Sequence, residues 1–348
     1  MRVSRCAPSR DGGDIGFDFA RLGNHTFPVA LVSSAFQRLR PCRAARWLGV
    51  LLVVGMFAGA RAAETFTVLT WNVENYLDVA AGTRRVKSAE AKAKVCETLL
   101  MVRPDVAAFQ EMGGTNALLE LRASLKAGGL DLPHWEHVTG ADTNSHVAGL
   151  SRFPVSARRP QTNDNFLLNG RHFRVSRGFA EVEIEVSPQY RFTLLAAHLK
   201  SKRPVAEADE AELREQEALV LREKIDAKLK ANPNVNLVVL GDFNDTRDAR
   251  STKALIGKGR HALVDTRPAE RNGDAPTGTP PRSYAPRHVT WTYFYGKEDT
   301  YSRIDYILLS RGMAREWEAS GTYVFTGANW GLASDHRPVV ASFFTEDK

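Results

Sequence analysis

The ten residues Asn236-Leu-Val-Val-Leu-Gly-Asp-Phe-Asn-Asp245 constrain the fold more than any other stretch of the chain. Leu237 to Gly241 are uncharged and mostly apolar, the outline of a buried strand. The run then stops in Asp242, Asn244 and Asp245. A carboxylate and a carboxamide at the mouth of a strand can face one cleft, where they can bind a cation and orient a phosphate. Gly-Asp-Phe-Asn also makes an ordinary turn, with Asp and Asn bonding their own backbone. The rest of the chain decides between the two.

Periodicity predicts helices over 87–101, 116–126, 207–230 and 251–256, separated by strands. Strands are expected over 65–71, 105–109, 135–138, 147–150, 179–186, 191–199, 237–241, 289–295, 304–309, 322–325 and 339–344. Residues 158–178 lack a clean period and read as a loop or hairpin near the cleft. Five prolines between Arg267 and Arg287 mark a surface excursion. No linker interrupts 63–348, so this span reads as one α/β domain.

Six of the strand ends stop in residues that can hold a metal or a phosphate: Asn72, Glu111, His198, Asp242 with Asn244, Asp305, and Asp335 with His336. One such ending is noise. Six are hard to explain as separate turns. Oxygen ligands without cysteine suit a hard cation, Mg²⁺ or Mn²⁺, with Ca²⁺ as an auxiliary ion. Two histidines at strand ends offer proton transfer near neutral pH. Together these groups fit hydrolysis of a phosphate ester.

Seven motifs in order, Thr-Trp-Asn72, Gln-Glu111, Gly-Leu-Ser-Arg152, His-Leu-Lys200, Gly-Asp-Phe-Asn244, Ser-Arg-Ile-Asp-Tyr306 and Ser-Asp-His336, resemble the endonuclease/exonuclease/phosphatase superfamily over about residues 65–345. The resemblance implies a four-layered α/β sandwich of two packed mixed sheets with helices outside, as in the DNase I-like enzymes. It implies that Glu111 binds the metal with Asn72 beside it, and that Asp335 completes the metal side. Asp242 and Asn244 would handle the scissile phosphate and the attacking water. His336 would take a proton from water or stabilise phosphorane charge, oriented by Asp305. His198 matches the second histidine of the DNase I-like branch, which pairs it with a carboxylate just ahead of the Arg152-like strand. Asn144, Ser145 and His146 stand there instead.

Lys200 and Lys202, directly after His198, read as substrate contacts, and Arg171 and Arg177 as residues able to grip a phosphate. The formal charge of +7 is not a nucleic-acid face, because residues 1–62 carry +6 of it. Those residues also hold a 14-residue apolar run, 47–60, preceded by Arg40, Arg43 and Arg46 and followed by Ala60-Arg-Ala62. That is the pattern of a secretory signal, too short for a comfortable membrane span. Residues 1–62 are therefore read as an N-terminal extension and signal peptide, and the catalytic domain as 63–348, exported to periplasm or medium without a stable membrane anchor. With Cys6 and Cys42 in the leader, Cys96 alone stays, and no intramolecular disulfide is possible.

The leading functional expectation is an exported, monomeric, metal-dependent phosphodiesterase acting on nucleic acid. The alternative is a phosphatase or a phospholipase C-type enzyme on inositol phosphates or sphingomyelin. A binding module without activity is disfavoured because every expected position holds a competent residue. The lipid reading needs an exposed aromatic hairpin, for which Tyr293-Phe-Tyr295 is the candidate.

Overall fold

Strand parity builds this fold. In β1 (Thr65–Tyr76) Phe66 and Val68 pack into one apolar cluster while Leu69, Trp71 and Val73 pack into another. Successive side chains on a strand point to opposite faces, so a strand buried on both sides feeds two cores. The computed structural model of the chain describes residues 64–270 and 290–348. Residues 1–63, which include the expected signal peptide, and residues 271–289 of the proline-rich segment lie outside the described residues.

Further strands follow in chain order: β2 (Val106–Met112), β3 (His134–Val138), β4 (His146–Ser151), β5 (Val155–Arg158), β6 (Asn165–Leu168) and β7 (Arg171–Arg174). Then come β8 (Phe179–Ser187), β9 (Tyr190–His198), β10 (Leu237–Asp242), β11 (Val264–Asp265) and β12 (Ala269–Glu270). The last are β13 (Tyr293–Tyr295), β14 (Thr300–Ser302), β15 (Asp305–Leu309), β16 (Trp317–Val324) and β17 (Val339–Phe344). The seven-stranded sheet has the order β12-β16-β17-β1-β2-β4-β3, and the six-stranded sheet the order β11-β15-β10-β9-β8-β5. Both are mixed: β1 runs parallel to β2 and antiparallel to β17, and β10 runs parallel to β9 and antiparallel to β15. β6 with β7, and β13 with β14, form separate hairpins.

The inner faces of the two sheets share a core that joins Phe66, Val68, Val106 and Val339 to Leu194, Val238, Leu240 and Ile307. Helices cover the outer faces. α1 (Ala89–Val102) and α2 (Thr115–Ala127) bury Val95, Leu99, Leu118 and Leu121 against the first sheet. α3 (Glu210–Ala231) and α4 (Arg250–Ile256) bury Leu221, Ile225 and Leu255 against the second. The order helix, sheet, sheet, helix is the expected four-layered sandwich. Ser88 caps α1 by accepting the Ala91 N–H, and Asp209 caps α3 by accepting from Ala211 and Glu212.

The strand expected over 289–295 begins only at Tyr293 and belongs to a hairpin outside both main sheets. The segment 158–178 does contain a hairpin, β6–β7, and β16 is longer than expected. No helix among the described residues is long and apolar enough to cross a membrane.

Candidate active site

The same parity that builds the inner core aims the polar strand ends. Phe66 and Val68 face the space between the sheets, and two residues at a time the series continues to Thr70 and Asn72. On β10 it runs Val238, Leu240, Asp242, and on β9 Leu194, Ala196, His198. On β15 it runs backwards from Leu309 and Ile307 to Asp305. Antiparallel pairing sets Asp305 directly opposite Asp242, and parallel pairing sets Asp242 beside His198. Four polar side chains thus leave the apolar core at one end of the sandwich, where the sheets no longer need to meet.

Glu111 breaks the parity and is re-aimed by its backbone. It has φ of 58°, and the β1–β2 and β2–β4 registers both shift next to it. A non-glycine residue in the left-handed region is strained, and such strain gathers at functional sites. Glu74, Asn75 and Asn244 share that conformation at the same end.

All six expected strand ends meet. Asp242 Oδ2 is the hub: it accepts from Asn72 Nδ2 at 3.0 Å and lies 3.4 Å from His198 Nε2 and 3.8 Å from His336 Nε2. Asn72 Nδ2 also reaches Glu111 Oε1 at 3.4 Å, and the other Glu111 oxygen accepts the Asn75 N–H at 3.0 Å. Asp335 Oδ1 lies 3.9 Å from His336 Nε2. Asp305 Oδ2 sits 2.9 Å from His336 Nδ1 and accepts the Thr292 hydroxyl at 2.7 Å.

Charge separates these residues into two groups. Burial alone would push the His336 imidazolium down, but Asp305, Asp242 and Asp335 outweigh it and hold its pKa up at about 10. His198 goes the other way. Burial drives it well below the usual imidazole range, helped by Arg177, His336 and Arg84. Its contact with Asp242 is therefore not an ion pair, and its Nδ1 is buried without a partner. Asp242 is pushed up to about 7, by burial first and also by Asp305. Asp335 is pushed up to about 6, by burial and by the carboxylates of Glu74 and Glu111.

Carboxylates forced toward protonation by burial, and further by one another, form a place for a cation. Asp242, Asp305 and His336 bring one donor atom each within 4.8 Å of each other. His336 Nδ1 is already hydrogen-bonded to Asp305, so that trio serves better as a proton pathway. Glu111 and Asp335, with the Asn72 amide oxygen, offer oxygen donors only and suit a hard divalent ion. Lys87 offers partial relief at the Glu74 side, its ammonium donating to the Glu74 carbonyl at 2.8 Å; burial lowers its pKa, while Glu74, Asp335 and Glu111 raise it.

Several positioning residues carry no sequence signal as such. Thr292 accepts from the backbone N–H groups of Ile304 and Asp305 while donating to the Asp305 carboxylate. Ser334 donates to the Asn72 carbonyl and accepts the His336 N–H. Trp71, buried in the outer core of the first sheet, also donates its indole N–H to the His336 carbonyl at 3.0 Å. The Tyr293 ring stacks obliquely on His336, with centroids 4.5 Å apart.

The expected substrate contacts are placed unevenly. Asn244 donates its side-chain N–H to the Leu199 carbonyl and its backbone N–H to Asp242 Oδ1, so it braces the cluster. Lys200 folds back onto the carbonyls of Ser201 and Arg203. Lys202 is exposed and stands 3.8 Å from Asp245. Arg171 lies on the β6–β7 hairpin, donating to the Glu207 carbonyl and covering the Phe173 ring. Arg177 is buried, held on the Leu199 carbonyl at 3.1 Å beside the His198 strand end.

A model of the Endonuclease/Exonuclease/phosphatase family matches residues 69–336. Among curated protein sequences none matches. Solved structures share the fold at low identity. Truncated TDP2 from Caenorhabditis elegans superposes with a TM-score of 0.54 at 18% identity, covering 80% of this chain and 97% of that one. The human Nocturnin catalytic domain with bound sulfate gives 0.56 at 16%, covering 81% and 95%. Sphingomyelinase C from Streptomyces griseocarneus gives 0.52 at 19%, covering 80% and 99%.

Proposed function

This chain belongs to the Endonuclease/Exonuclease/phosphatase family, hydrolases acting on phosphoesters, and from that premise we propose that it is an exported metal-dependent phosphodiesterase acting on nucleic acid. The observation that carries the reading is the convergence of Asn72, His198 and His336 on one oxygen of Asp242, with the Glu111 and Asp335 carboxylates alongside.

In this reading Glu111, Asn72 and Asp335 hold a Mg²⁺ or Mn²⁺ ion. When bound, such an ion polarises a phosphoryl oxygen and offsets its negative charge. The chain's own residues do the rest. Asp242 orients the attacking water and accepts its proton, a role suited to a carboxyl pushed up to about 7. The imidazolium of His336 faces Asp242 and donates toward the charge that grows on the phosphoryl oxygens. Asp305, fixed by Thr292, keeps that ring in place. Neutral His198 donates a hydrogen bond to the phosphoryl group.

The β13–β14 hairpin favours nucleic acid over lipid. Its aromatics pack on one another and on Trp291, with Phe294 on Tyr301 at 4.7 Å and Trp291 on Tyr301 at 4.9 Å, Tyr301 itself staying 56% exposed. Its exposed turn is Lys297-Glu298-Asp299, whose insertion into a bilayer would desolvate three charges. A substrate panel of plasmid DNA, RNA, sphingomyelin and inositol phosphates, run with Mg²⁺, Mn²⁺ or EDTA, tests the reading. Cleavage of nucleic acid restored by metal supports it; sphingomyelin as the fastest substrate overturns it.

A further inference from the structure

Arg84 and Arg177 share one carboxylate. Arg84 Nη2 lies 3.6 Å and Arg177 Nε 3.7 Å from the same oxygen of Asp142, beyond ordinary hydrogen-bond length. Both guanidiniums carry a buried nitrogen without an acceptor, Arg84 Nη1 and Arg177 Nε. His198 Nδ1, close enough for both guanidiniums to repel its proton, is likewise buried and unpartnered. Ser145 Oγ, three residues beyond Asp142, is a fourth buried polar atom without a partner.

Native proteins seldom leave buried donors unmatched, and a cluster of them needs a physical reason. Two fixed positive charges face one negative charge here, and His198 adds none. The arrangement is built by the backbone, since Asp142 donates its N–H to the Ser176 carbonyl. A Cβ on Gly140 would meet the Arg177 carbonyl carbon at 2.3 Å. Arg177 is nearly buried, whereas the side chains of Arg84 and Asp142 are 25% and 22% exposed, which opens the pair to the rim of the cleft. The next nearby acid, Glu217, is already taken by the N–H groups of Ser176 and Lys200 and the Ser176 hydroxyl.

We propose that Arg84 and Arg177 form a second anion subsite, which takes a phosphate adjacent to the scissile one on the same substrate. The scissile group belongs at Asp242, Asn72 and His336, on the Nε2 side of His198. In this proposal the anion at the guanidinium pair is a different phosphate. Planar guanidiniums suit phosphate oxygens better than any other side chain. The preferred substrate is a nucleotide diester that carries a further phosphate one linkage away. This rests on the phosphodiesterase reading above and narrows it.

The test uses three dinucleotides, one without terminal phosphate, one with a 5′-phosphate and one with a 3′-phosphate, alongside bis-p-nitrophenyl phosphate. Wild type should prefer one phosphorylated dinucleotide over the plain one by roughly 10- to 100-fold in kcat/KM, the range for hydrogen bonds to a charged group. Which arm gains identifies the side of the cut. Arg84→Ala, on a partly exposed loop, should bring the ratio to near one, and Arg84→Lys should restore part of it. Arg177→Lys, checked by circular dichroism for folding, should also lower the ratio. A wild type that cleaves all three dinucleotides equally, or an Arg84→Ala ratio equal to that of wild type, overturns the subsite. Failure to cleave even bis-p-nitrophenyl phosphate overturns the phosphodiesterase reading on which it rests.

Discussion

Thr292 donates its hydroxyl proton to Asp305 Oδ2, the same oxygen that holds His336 Nδ1. Thr292 is fully buried, and its oxygen also accepts two backbone N–H groups. One hydroxyl thus fixes the carboxylate that fixes the imidazole.

Thr292→Val keeps the shape and removes the hydroxyl. It leaves buried polar groups unpaired, so unfolding free energy should fall by about 1–3 kcal/mol, read by denaturant titration. kcat should fall further than that loss of stability accounts for, because Asp305 is free to turn. Thr292→Ser should recover most of both. A Val variant with wild-type kcat would exclude the orienting role.

His336→Ala should lose a factor of roughly 10² to 10⁴ in kcat with little change in KM. Asp305→Asn should lose less, since the ring remains but is poorly aimed. Steady-state kinetics on plasmid DNA decide it; equal losses in KM and kcat/KM, with kcat intact, would make His336 a binding residue.

His198→Ala should reduce cleavage of DNA and of bis-p-nitrophenyl phosphate by the same factor. The histidine is neutral at working pH, so it donates a hydrogen bond and has no proton to deliver to a poor leaving group. A loss confined to DNA would reinstate it as a general acid.

Metal-free protein should lose stability as pH rises from about 7 to 10. The folded pKa of His336 is raised to about 10, above the unfolded value of 6.5, so its contribution is complete below 6.5 and vanishes as pH climbs through the folded value. Below 7 the raised carboxyls of Asp242 and Asp335 and the lowered His198 act in opposite directions and partly offset. Thermal melts in EDTA should show the alkaline decline in wild type and a flatter curve in His336→Gln; identical slopes would contradict the coupling.

Much of this site was legible as strand ends, because a period of two carries an inward-facing apolar series into Asn72, His198, Asp242 and Asp305 without further assumption. The rest was not. Glu111 faces the cleft only through a left-handed kink, which no local pattern announces. Thr292, Ser334 and Tyr293 act through contacts made by long-range folding. Lys200 was expected to point at substrate, yet it closes its own loop, because two carbonyls lie nearer than solvent. No carboxylate partners His198 Nδ1, which is buried without a hydrogen bond; Asp142, ahead of β4, stands against two arginines instead.

The proposed export, read from the pattern of residues 40–62, predicts that N-terminal sequencing of protein from the producing cell begins near Ala63. An intact Met1 would refute it.

Glu111, Asn72 and Asp335 are proposed to hold the ion on which phosphodiesterase activity depends. Titrating Mg²⁺ into EDTA-treated wild type and Glu111→Gln, with bis-p-nitrophenyl phosphate as substrate, measures it directly. Activity should be absent in EDTA and return with metal. The Gln variant should melt like the metal-free wild type yet need far more Mg²⁺ for half its maximal rate. Full activity in EDTA, or the same Mg²⁺ dependence in both proteins, would rule out an ion held by Glu111.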